Sequence, residues 1–238
     1  MQSPEWDVVV MGGGPAGSSV ANLLAQAGRD VLLLERETFP RFHVGESLLP
    51  ALWDLWDELG VSQEIEEAGF AVKAGVNFGF GPDKEIVLLT AEFPEYFQKQ
   101  FSYHVERAKF DDILIRRAKE FGATVREGWN VADVILEGDQ VVGVEAGPVG
   151  GDLAPIRARV VVGATGSDCL IGRKLGIRRE DSVLNKIAYW THVRGASREI
   201  FDDATRTDIH TFDEGWIWYI PLANDVVSIG AVLDTQKI

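Results

Sequence analysis

Cysteine is almost absent from this chain of 238 residues, because Cys169 is the only one. A single thiol cannot form an internal disulfide, a thiolate zinc cluster or a C-x-x-C redox pair. The four histidines lack the spacing of metal ligands and the scattered carboxylates form no recognisable pair, so we predict no metal site. Any redox chemistry must therefore come from a bound cofactor.

Basic residues and long apolar runs are also scarce. The chain has 23 Lys and Arg against 37 Asp and Glu, a formal charge of −14 that repels nucleic acid phosphates and anionic lipid headgroups. The first apolar stretch, Val8–Met11, follows Glu5 and Asp7 and precedes three glycines, so it matches neither a signal peptide nor a membrane span. We predict a globular protein of the cytoplasm with no nucleic acid and no membrane partner.

A glycine-rich stretch near the start, Gly12–Gly17, reads Gly-Gly-Gly-Pro-Ala-Gly. A short apolar strand at Asp7–Met11 precedes it, a helix over about residues 16–27 follows, and a second strand, Val31–Glu35, ends in an acid. This order is typical of a dinucleotide-binding βαβ unit. The acid at the end of the second strand argues against a 2′-phosphate, and so against NADP in this site.

The residue types in this unit each suit a task in nucleotide binding. Gly12 permits the tight turn, Gly14 lets backbone N–H groups approach a pyrophosphate at the helix N-terminus, and Gly17 brings helix and strand close. Glu35 can accept hydrogen bonds from a ribose diol. The predicted nucleotide-binding residues of this unit also include Pro15, Ala16 and Arg36. The unit alone fits both FAD and NAD.

Apolar periodicity predicts the remaining elements. Three further helices are expected at about 52–59, 65–69 and 111–121, and strands at 124–127, 131–137, 141–146, 157–163, 186–194, 207–212, 216–222 and 226–233. On a strand, Trp216, Trp218 and Ile220 share one face and form an apolar wall. The order predicts an α/β fold with a doubly wound sheet and a second, mostly antiparallel sheet.

Four segments together resemble the flavin-dependent halogenases. Trp216–Pro221 has the form W-x-W-x-I-P, Pro40–Pro50 resembles P-R-x-x-x-G-E-S-L-L-P, and Val105–Asp111 resembles V-x-R-x-x-F-D. Val160–Gly166 resembles the strand and turn that reach the flavin a second time, with Gly163 where halogenases commonly carry an acid. The resemblance implies FAD as cofactor and adds as FAD-binding residues Arg41, Gly45, Glu46, Ser47, Arg107, Ala164, Thr165 and Gly166.

The resemblance also implies a domain organisation and a chemistry. It predicts a glutathione-reductase-like FAD-binding region at 1–70 and 101–180, and a sheet that covers the flavin and substrate at 71–100 and 181–238. A separate flavin reductase would supply reduced FAD, and chloride or bromide would attack a flavin hydroperoxide to give hypohalous acid. The substrate would be an electron-rich aromatic or pyrrolic compound, free or tethered to a carrier protein.

The same resemblance implies a catalytic lysine. Phe70–Phe78 resembles the family's G-F-x-V-K-x-G-x-x-F stretch, which places Lys73 as the residue that aims the oxidant. Burial would lower the pKa of such an amine and expose a nucleophile. The wall formed by Trp216, Trp218, Ile220 and Pro221 would keep substrate away from the flavin.

Two other functions remain open at this point. One is a flavin monooxygenase or a geranylgeranyl-reductase-like oxidoreductase, which share several of these motifs. The other is a catalytically incomplete FAD-binding protein, because Gly138–Asp139 and Gly151–Asp152 lie in turns and neither opens the further helix that the family uses at the flavin diphosphate. We therefore expect residues 1–238 to be the N-terminal part of a longer enzyme or a natural truncation, with weak FAD binding and an apolar sheet face or edge uncovered near Val226–Leu233.

Overall fold

The computed structural model describes residues 5–81, 85–92, 95–181, 184–196 and 204–235. The α-helices of this part of the chain are α1 Pro15–Gln26, α2 Leu52–Glu58, α3 Ser62–Glu67, α4 Arg107–Glu120 and α5 Leu170–Lys174. The strands are β1 Trp6–Met11, β2 Val31–Glu35, β3 Ala71–Lys73, β4 Gly75–Phe80, β5 Glu85–Leu89, β6 Ser102–His104, β7 Thr124–Glu127, β8 Trp129–Glu137, β9 Gln140–Pro148, β10 Ala154–Gly163, β11 Lys186–Arg194, β12 Arg206–Phe212, β13 Gly215–Pro221 and β14 Val226–Asp234.

Two compact units divide the chain. The first comprises Met1–His43, Glu58–Val61 and Ala108–Arg179, and the second comprises Val44–Asp57, Ser62–Arg107 and Glu180–Ile238. The second unit therefore includes segments on both sides of α4, together with most of α2. The predicted FAD-binding and substrate regions are functional divisions of the chain, and they stay a prediction.

The first unit is built on a six-stranded sheet in the order β7-β2-β1-β10-β9-β8. β7, β2, β1 and the end of β10 pair in parallel. Alternate side chains of β1 and β2 enter two separate cores, one shared with α1 and α4 and the other with β8–β10. Because both faces of these strands are buried, the strands read as continuous apolar runs in the sequence.

One strand joins the parallel and antiparallel parts of this sheet. The first residues of β10, Ala154–Arg157, pair antiparallel with β9, whereas its later residues, from Ala158 to Gly163, pair in parallel with β1. The small antiparallel meander β8–β9–β10 is therefore continuous with the doubly wound sheet. The fold class predicted from the sequence is confirmed in this unit.

The second unit contains a six-stranded sheet in the order β11-β14-β13-β12-β4-β5. Its neighbours pair antiparallel except β12 and β4, which are parallel. β11 and β5 form the two edges of the sheet and their side chains are mostly exposed. A separate two-stranded ribbon pairs β3 with β6.

An aromatic cluster packs within this second unit. The indoles of Trp53 and Trp56 meet edge to face with 4.8 Å between ring centroids, and both contact Tyr103. Phe101 lies 5.5 Å from Trp53, whose ring nitrogen donates to the Phe101 carbonyl at 2.7 Å. Both tryptophans are fully buried core residues.

The structure differs from the sequence prediction at several element ends. The helix expected at 65–69 spans Ser62–Glu67, and the helix expected from residue 111 begins at Arg107. The prediction of an uncovered sheet edge near Val226–Leu233 is wrong, because β14 lies between β11 and β13 and the edges of the sheet are β11 and β5. Apolar periodicity identifies strands but does not order them in a sheet.

Candidate functional site

Two glycines of the turn between β1 and α1 lie against backbone atoms that leave no room for a side chain. A Cβ on Gly12, which has φ +101, would lie 2.4 Å from the Ala164 carbonyl oxygen. A Cβ on Gly17 would lie 1.9 Å from the Gly12 carbonyl oxygen. Gly14, by contrast, has only the Arg41 guanidinium near its added Cβ, at 3.4 Å. Gly12 and Gly17 serve the fold, and Gly14 leaves space over the N-terminus of α1.

Glu35 ties the end of β2 to the glycine turn. Its carboxylate accepts hydrogen bonds from the Gly13 N–H at 2.7 Å and from the Glu37 N–H at 2.9 Å. The carboxylate is buried, so these bonds also satisfy a charge removed from water. Each oxygen retains further acceptor capacity, and the predicted contact with a ribose diol stays a prediction.

Arg41 lies beside this turn and is not a solvent-exposed charge. Its side chain is 10% exposed and its Nη1 lies 3.2 Å from a carboxylate oxygen of fully buried Asp111. The guanidinium also stacks over the Phe39 ring at 4.9 Å. A held cation near Gly14, at the positive end of α1, makes this location favourable for a phosphate group.

Arg36 lines a cavity of about 390 Å³ in the first unit. The Arg36 side chain is largely exposed, with its Nε 3.6 Å from Glu37. The remaining residues around the cavity come from β8 and from the turn after β9: Asn130, Pro148, Val149, Gly150, Gly151 and Leu153.

The turn after β10 contacts the glycine turn directly. The Ala164 N–H donates to the Met11 carbonyl at 2.9 Å, which continues the β1–β10 ladder by one residue. The Thr165 hydroxyl accepts a hydrogen bond from the Leu170 N–H at 3.4 Å. The next residue, Gly166, has a φ of +60. Ala164 and Thr165 therefore lie against Gly12, so two of the predicted FAD-binding segments meet in the first unit.

In the second unit, Arg107 holds the Gly-Glu-Ser segment at its start. Its Nη1 donates to the Val44 carbonyl at 3.0 Å and to the Gly45 carbonyl at 3.3 Å. Gly45 has φ +112, a conformation that favours glycine. The role of Arg107 observed here is to fix this turn, and its predicted flavin contact stays a prediction.

Glu46 is paired with a histidine that the sequence did not indicate. Glu46 is 1% exposed, and its Oε1 lies 2.5 Å from Nε2 of His192 on β11. The other carboxylate oxygen is buried and has no hydrogen-bond partner among the described residues. An unsatisfied buried carboxylate oxygen is costly, so the location favours a ligand or water that donates a hydrogen bond.

Lys73 is buried on the β3–β6 ribbon. It is 3% exposed, and its Nζ donates to the Leu48 carbonyl at 2.8 Å. No carboxylate of the described chain forms an ion pair with it, and burial lowers the pKa of Lys73 to about 8. Directly opposite lies Ser102, whose buried hydroxyl has no hydrogen-bond partner among the same residues. The pair offers uncommitted donors to a small anion.

His104 shares this face of the ribbon, two residues beyond Ser102. Burial, together with the charge of Lys73, lowers the pKa of His104 to about 3, so its imidazole is neutral at physiological pH. Its Nε2 lies 2.9 Å from the hydroxyl of Thr207, and that hydroxyl lies 2.6 Å from the hydroxyl of Ser47.

Trp216, Trp218 and Ile220 pack on one side of β13, and their predicted role as a wall toward the substrate stays a prediction. Trp218 and Ile220 are buried in one cluster with Leu222, and Trp216 and Val44 pack against it. The two indoles lie 5.8 Å apart between centroids. Trp218 lies against β14 at Gly230, where an added Cβ would come within 2.2 Å of the indole.

Lys73 makes folding stability depend on pH in a predictable way. Its pKa is about 8 in the folded chain and 10.5 ordinarily, so between these values the unfolded chain binds more protons. The free energy of unfolding should therefore rise with pH through this window, by at most about 1.4 kcal/mol per pH unit. Urea denaturation of wild type and Lys73→Met, compared from pH 7.5 to 10.5, should show the rise only in the wild type. Parallel curves for the two proteins would contradict the burial of a chargeable amine.

Several of these residues could not be identified from sequence motifs. His104 immediately precedes the Val105–Asp111 segment, and that position was its only signal. Ser102, Thr207 and His192 carry no motif at all. Their partners lie far along the chain, so only the fold brings them together.

Membrane-spanning helices and metal-binding clusters are both absent from the described residues. No helix there is both long and apolar enough to cross a membrane. No group of three or more His, Cys, Asp and Glu side chains in the same residues could hold a metal ion.

Comparison with known proteins places these features in a family. The model of the FAD-binding domain family matches residues 5–223. A 1H-pyrrole-2-carbonyl-[peptidyl-carrier protein] chlorinase of Pseudomonas fluorescens is 34% identical, over 100% of this chain and 58% of its own length. A tryptophan 2-halogenase of Chondromyces crocatus is 31% identical, over 96% of this chain and 43% of its own length.

Solved structures agree with the sequence relatives. The myxobacterial chondrochloren halogenase CndH superposes with a TM-score of 0.84 at 34% identity, covering 98% of this chain and 53% of that one. The flavin-dependent halogenase CmlS gives a TM-score of 0.86 at 32% identity, and the match covers 100% of this chain and 43% of that one. The chain thus spans about half the length of the relatives that it matches. It belongs to the FAD-binding domain family, and along its whole length it is similar to flavin-dependent halogenases.

Proposed function

We propose that this chain forms the FAD-binding and oxidant-handling part of a flavin-dependent halogenase that acts on an electron-rich aromatic or pyrrolic substrate. The single observation that carries the proposal is Lys73, a buried amine with no carboxylate partner among the described residues, opposite the buried hydroxyl of Ser102. Burying a lysine in this way costs free energy, which argues for a role beyond packing.

The residues of the first unit fit the diphosphate of FAD. The open side of Gly14 admits a phosphate, the N-terminus of α1 and Arg41 supply positive charge, and Glu35 has acceptor capacity left for a ribose. The cavity beside Arg36 gives space for the adenosine end. Reduced FAD, when bound, supplies the chemistry that turns O2 and halide into hypohalous acid.

The residues of the second unit would handle the oxidant and the substrate. Lys73 and Ser102 would donate hydrogen bonds to the oxidant, and a lysine with pKa about 8 can also offer a free amine. Trp216, Trp218 and Ile220 would present a rigid apolar surface to an aromatic ring. Pro221 ends that strand. Glu46 would accept a hydrogen bond from a ligand at its unpartnered oxygen.

Two relatives support the proposed substrate class. The Pseudomonas fluorescens chlorinase and a Pseudoalteromonas luteoviolacea brominase, 34% identical over 96% of this chain, are named for pyrrole-2-carbonyl groups on a peptidyl carrier protein. This likeness favours a pyrrole or related ring tethered to a carrier. A separate flavin reductase and a cytoplasmic location belong to the same proposal.

The test is a reaction of the purified protein with reduced FAD, O2, bromide and a panel of free and carrier-tethered pyrroles and phenols, analysed by mass spectrometry. We expect products that carry bromine in its natural isotope pattern. Hydroxylated products without bromine would instead show a monooxygenase. Reoxidation of flavin with no new product from any substrate would contradict the proposal.

A further inference from the structure

The hydrogen-bond acceptor of Lys73 belongs to a segment that is held in place by other residues. Lys73 Nζ donates to the Leu48 carbonyl at 2.8 Å. The Leu48 N–H donates to the Tyr103 carbonyl at 3.1 Å, and the Val105 N–H donates to the Glu46 carbonyl at 2.8 Å. This segment, residues 46–48, therefore lies along β6 as a short additional strand, with a bridge between Ser47 and His104.

A chain of three side chains fixes the same segment from β12. The Ser47 hydroxyl lies 2.6 Å from the Thr207 hydroxyl, which lies 2.9 Å from Nε2 of His104. A threonine hydroxyl donates one hydrogen bond and accepts others, so it can satisfy a serine and a neutral imidazole at once. Thr207 and His104 are both buried, where such bonds have no competition from water.

The neutral state of His104 is part of this arrangement. A protonated imidazole would place a second positive charge beside the buried amine of Lys73, without a carboxylate to compensate it. His104 therefore supplies hydrogen bonding and volume without charge. Within the described part of the chain His104 forms no hydrogen bond with Lys73 or with the Leu48 carbonyl, so it acts on them through Thr207 and Ser47.

We infer that Thr207 and His104 are positioning residues for Lys73. They fix Ser47, and with it the adjoining Leu48 carbonyl. The amine of Lys73 is thereby held at one point on the ribbon, opposite Ser102. The importance of this arrangement for product formation rests on the proposed function. The arrangement itself can be tested without flavin or substrate, by measuring the titration of the Lys73 amine.

The experiment follows the amine by NMR in protein labelled with 13C at the lysine ε-carbon, without flavin or substrate. The Lys73 signal is the one lost in Lys73→Met, and in wild type it should titrate near pH 8. Thr207→Val removes the shared hydroxyl, which loosens Ser47 and weakens the hydrogen bond from the Lys73 ammonium to the adjoining Leu48 carbonyl. The midpoint should then fall by about one pH unit, because hydrogen bonding to the charged form favours that form.

Matched variants separate positioning from general damage. Thr211→Val removes a hydroxyl four residues along β12, whose hydrogen bond among the described residues goes to the Gly79 carbonyl at 3.2 Å, and should leave the midpoint unchanged. His104→Gln and Thr207→Ser retain a polar partner, so the Lys73 midpoint in these variants should equal that of wild type. In Ser47→Ala the Lys73 midpoint should fall as it does in Thr207→Val. Because Ser47 is less buried than Thr207, Ser47→Ala provides the measurement even where Thr207→Val does not fold. An unchanged midpoint in Ser47→Ala or in folded Thr207→Val overturns the inference.

A second readout distinguishes this inference from the proposed function. In the bromination assay, Thr207→Val should lose at least about tenfold in product formation at constant flavin reoxidation. If wild type makes no brominated product while the titration shifts as expected, the proposed function fails and the positioning role stands. If wild type brominates and the titration does not move, the positioning role fails alone.

Discussion

Lys73→Ala should eliminate halogenated product while flavin reoxidation continues at the wild-type rate. Lys73 is buried on β3 with the Leu48 carbonyl as its acceptor and Ser102 opposite, so its proposed work begins after the oxidant has formed. We expect product formation to fall at least about 100-fold, the scale of a lost donor or acid–base group. Mass spectrometry of the product and visible absorbance of oxidised flavin measure the two activities in one reaction.

A cavity left by alanine could disturb the ribbon, and two variants control for this. Lys73→Met fills the same volume without a charge and should also lose product. Lys73→Arg keeps a charge in a planar group that cannot become a free amine, which tests whether charge alone is sufficient. Product at near wild-type rate in Lys73→Ala would remove Lys73 from the mechanism.

Gly14→Val should abolish FAD binding without disturbing the fold. An added Cβ at Gly14 has only the end of the flexible Arg41 side chain nearby, at 3.4 Å, so the chain itself tolerates it. The valine methyl groups would then occupy the space over the N-terminus of α1 that a pyrophosphate needs. We expect the Kd for FAD to rise at least about 100-fold, equivalent to about 2.7 kcal/mol, in a calorimetric titration.

Two other positions make the Gly14 experiment specific. Ala27→Val adds the same side chain at the exposed far end of α1 and should bind FAD as wild type. Gly17→Ala should fail differently, by destabilising the protein, because its Cβ would lie 1.9 Å from the Gly12 carbonyl oxygen. Tight FAD binding by a folded Gly14→Val protein would show that the phosphates lie elsewhere.

Much of the fold could be predicted because its strands and helices carry local signals. The apolar runs of β1 and β2 are continuous because both faces of these strands are buried. Gly28 follows α1 because a glycine readily adopts the positive φ that ends a helix. Both signals extend over only a few residues. The two-residue period likewise placed Trp216, Trp218 and Ile220 on one face of β13.

Residues whose partners are distant in sequence could not be predicted in this way. Arg41 has no local feature that distinguishes it from a surface arginine, and its partner Asp111 lies on α4. Glu46 meets His192, and Ser47 meets Thr207, across most of the length of the chain. These pairings depend on the order of strands in the second sheet, which periodicity does not determine.

The contact between Trp218 and Gly230 divides the tryptophan wall into a fixed and an adjustable half. The Trp218 ring lies against a strand position that has no side chain, and its Nε1 donates to the Ser228 hydroxyl at 3.1 Å. A neighbouring strand thus determines both the depth and the rotation of this indole. Trp216 packs only at the margin of the cluster. Redesign of this surface for a larger or smaller ring should therefore begin at Trp216, and any replacement of Trp218 requires a compensating side chain at Gly230.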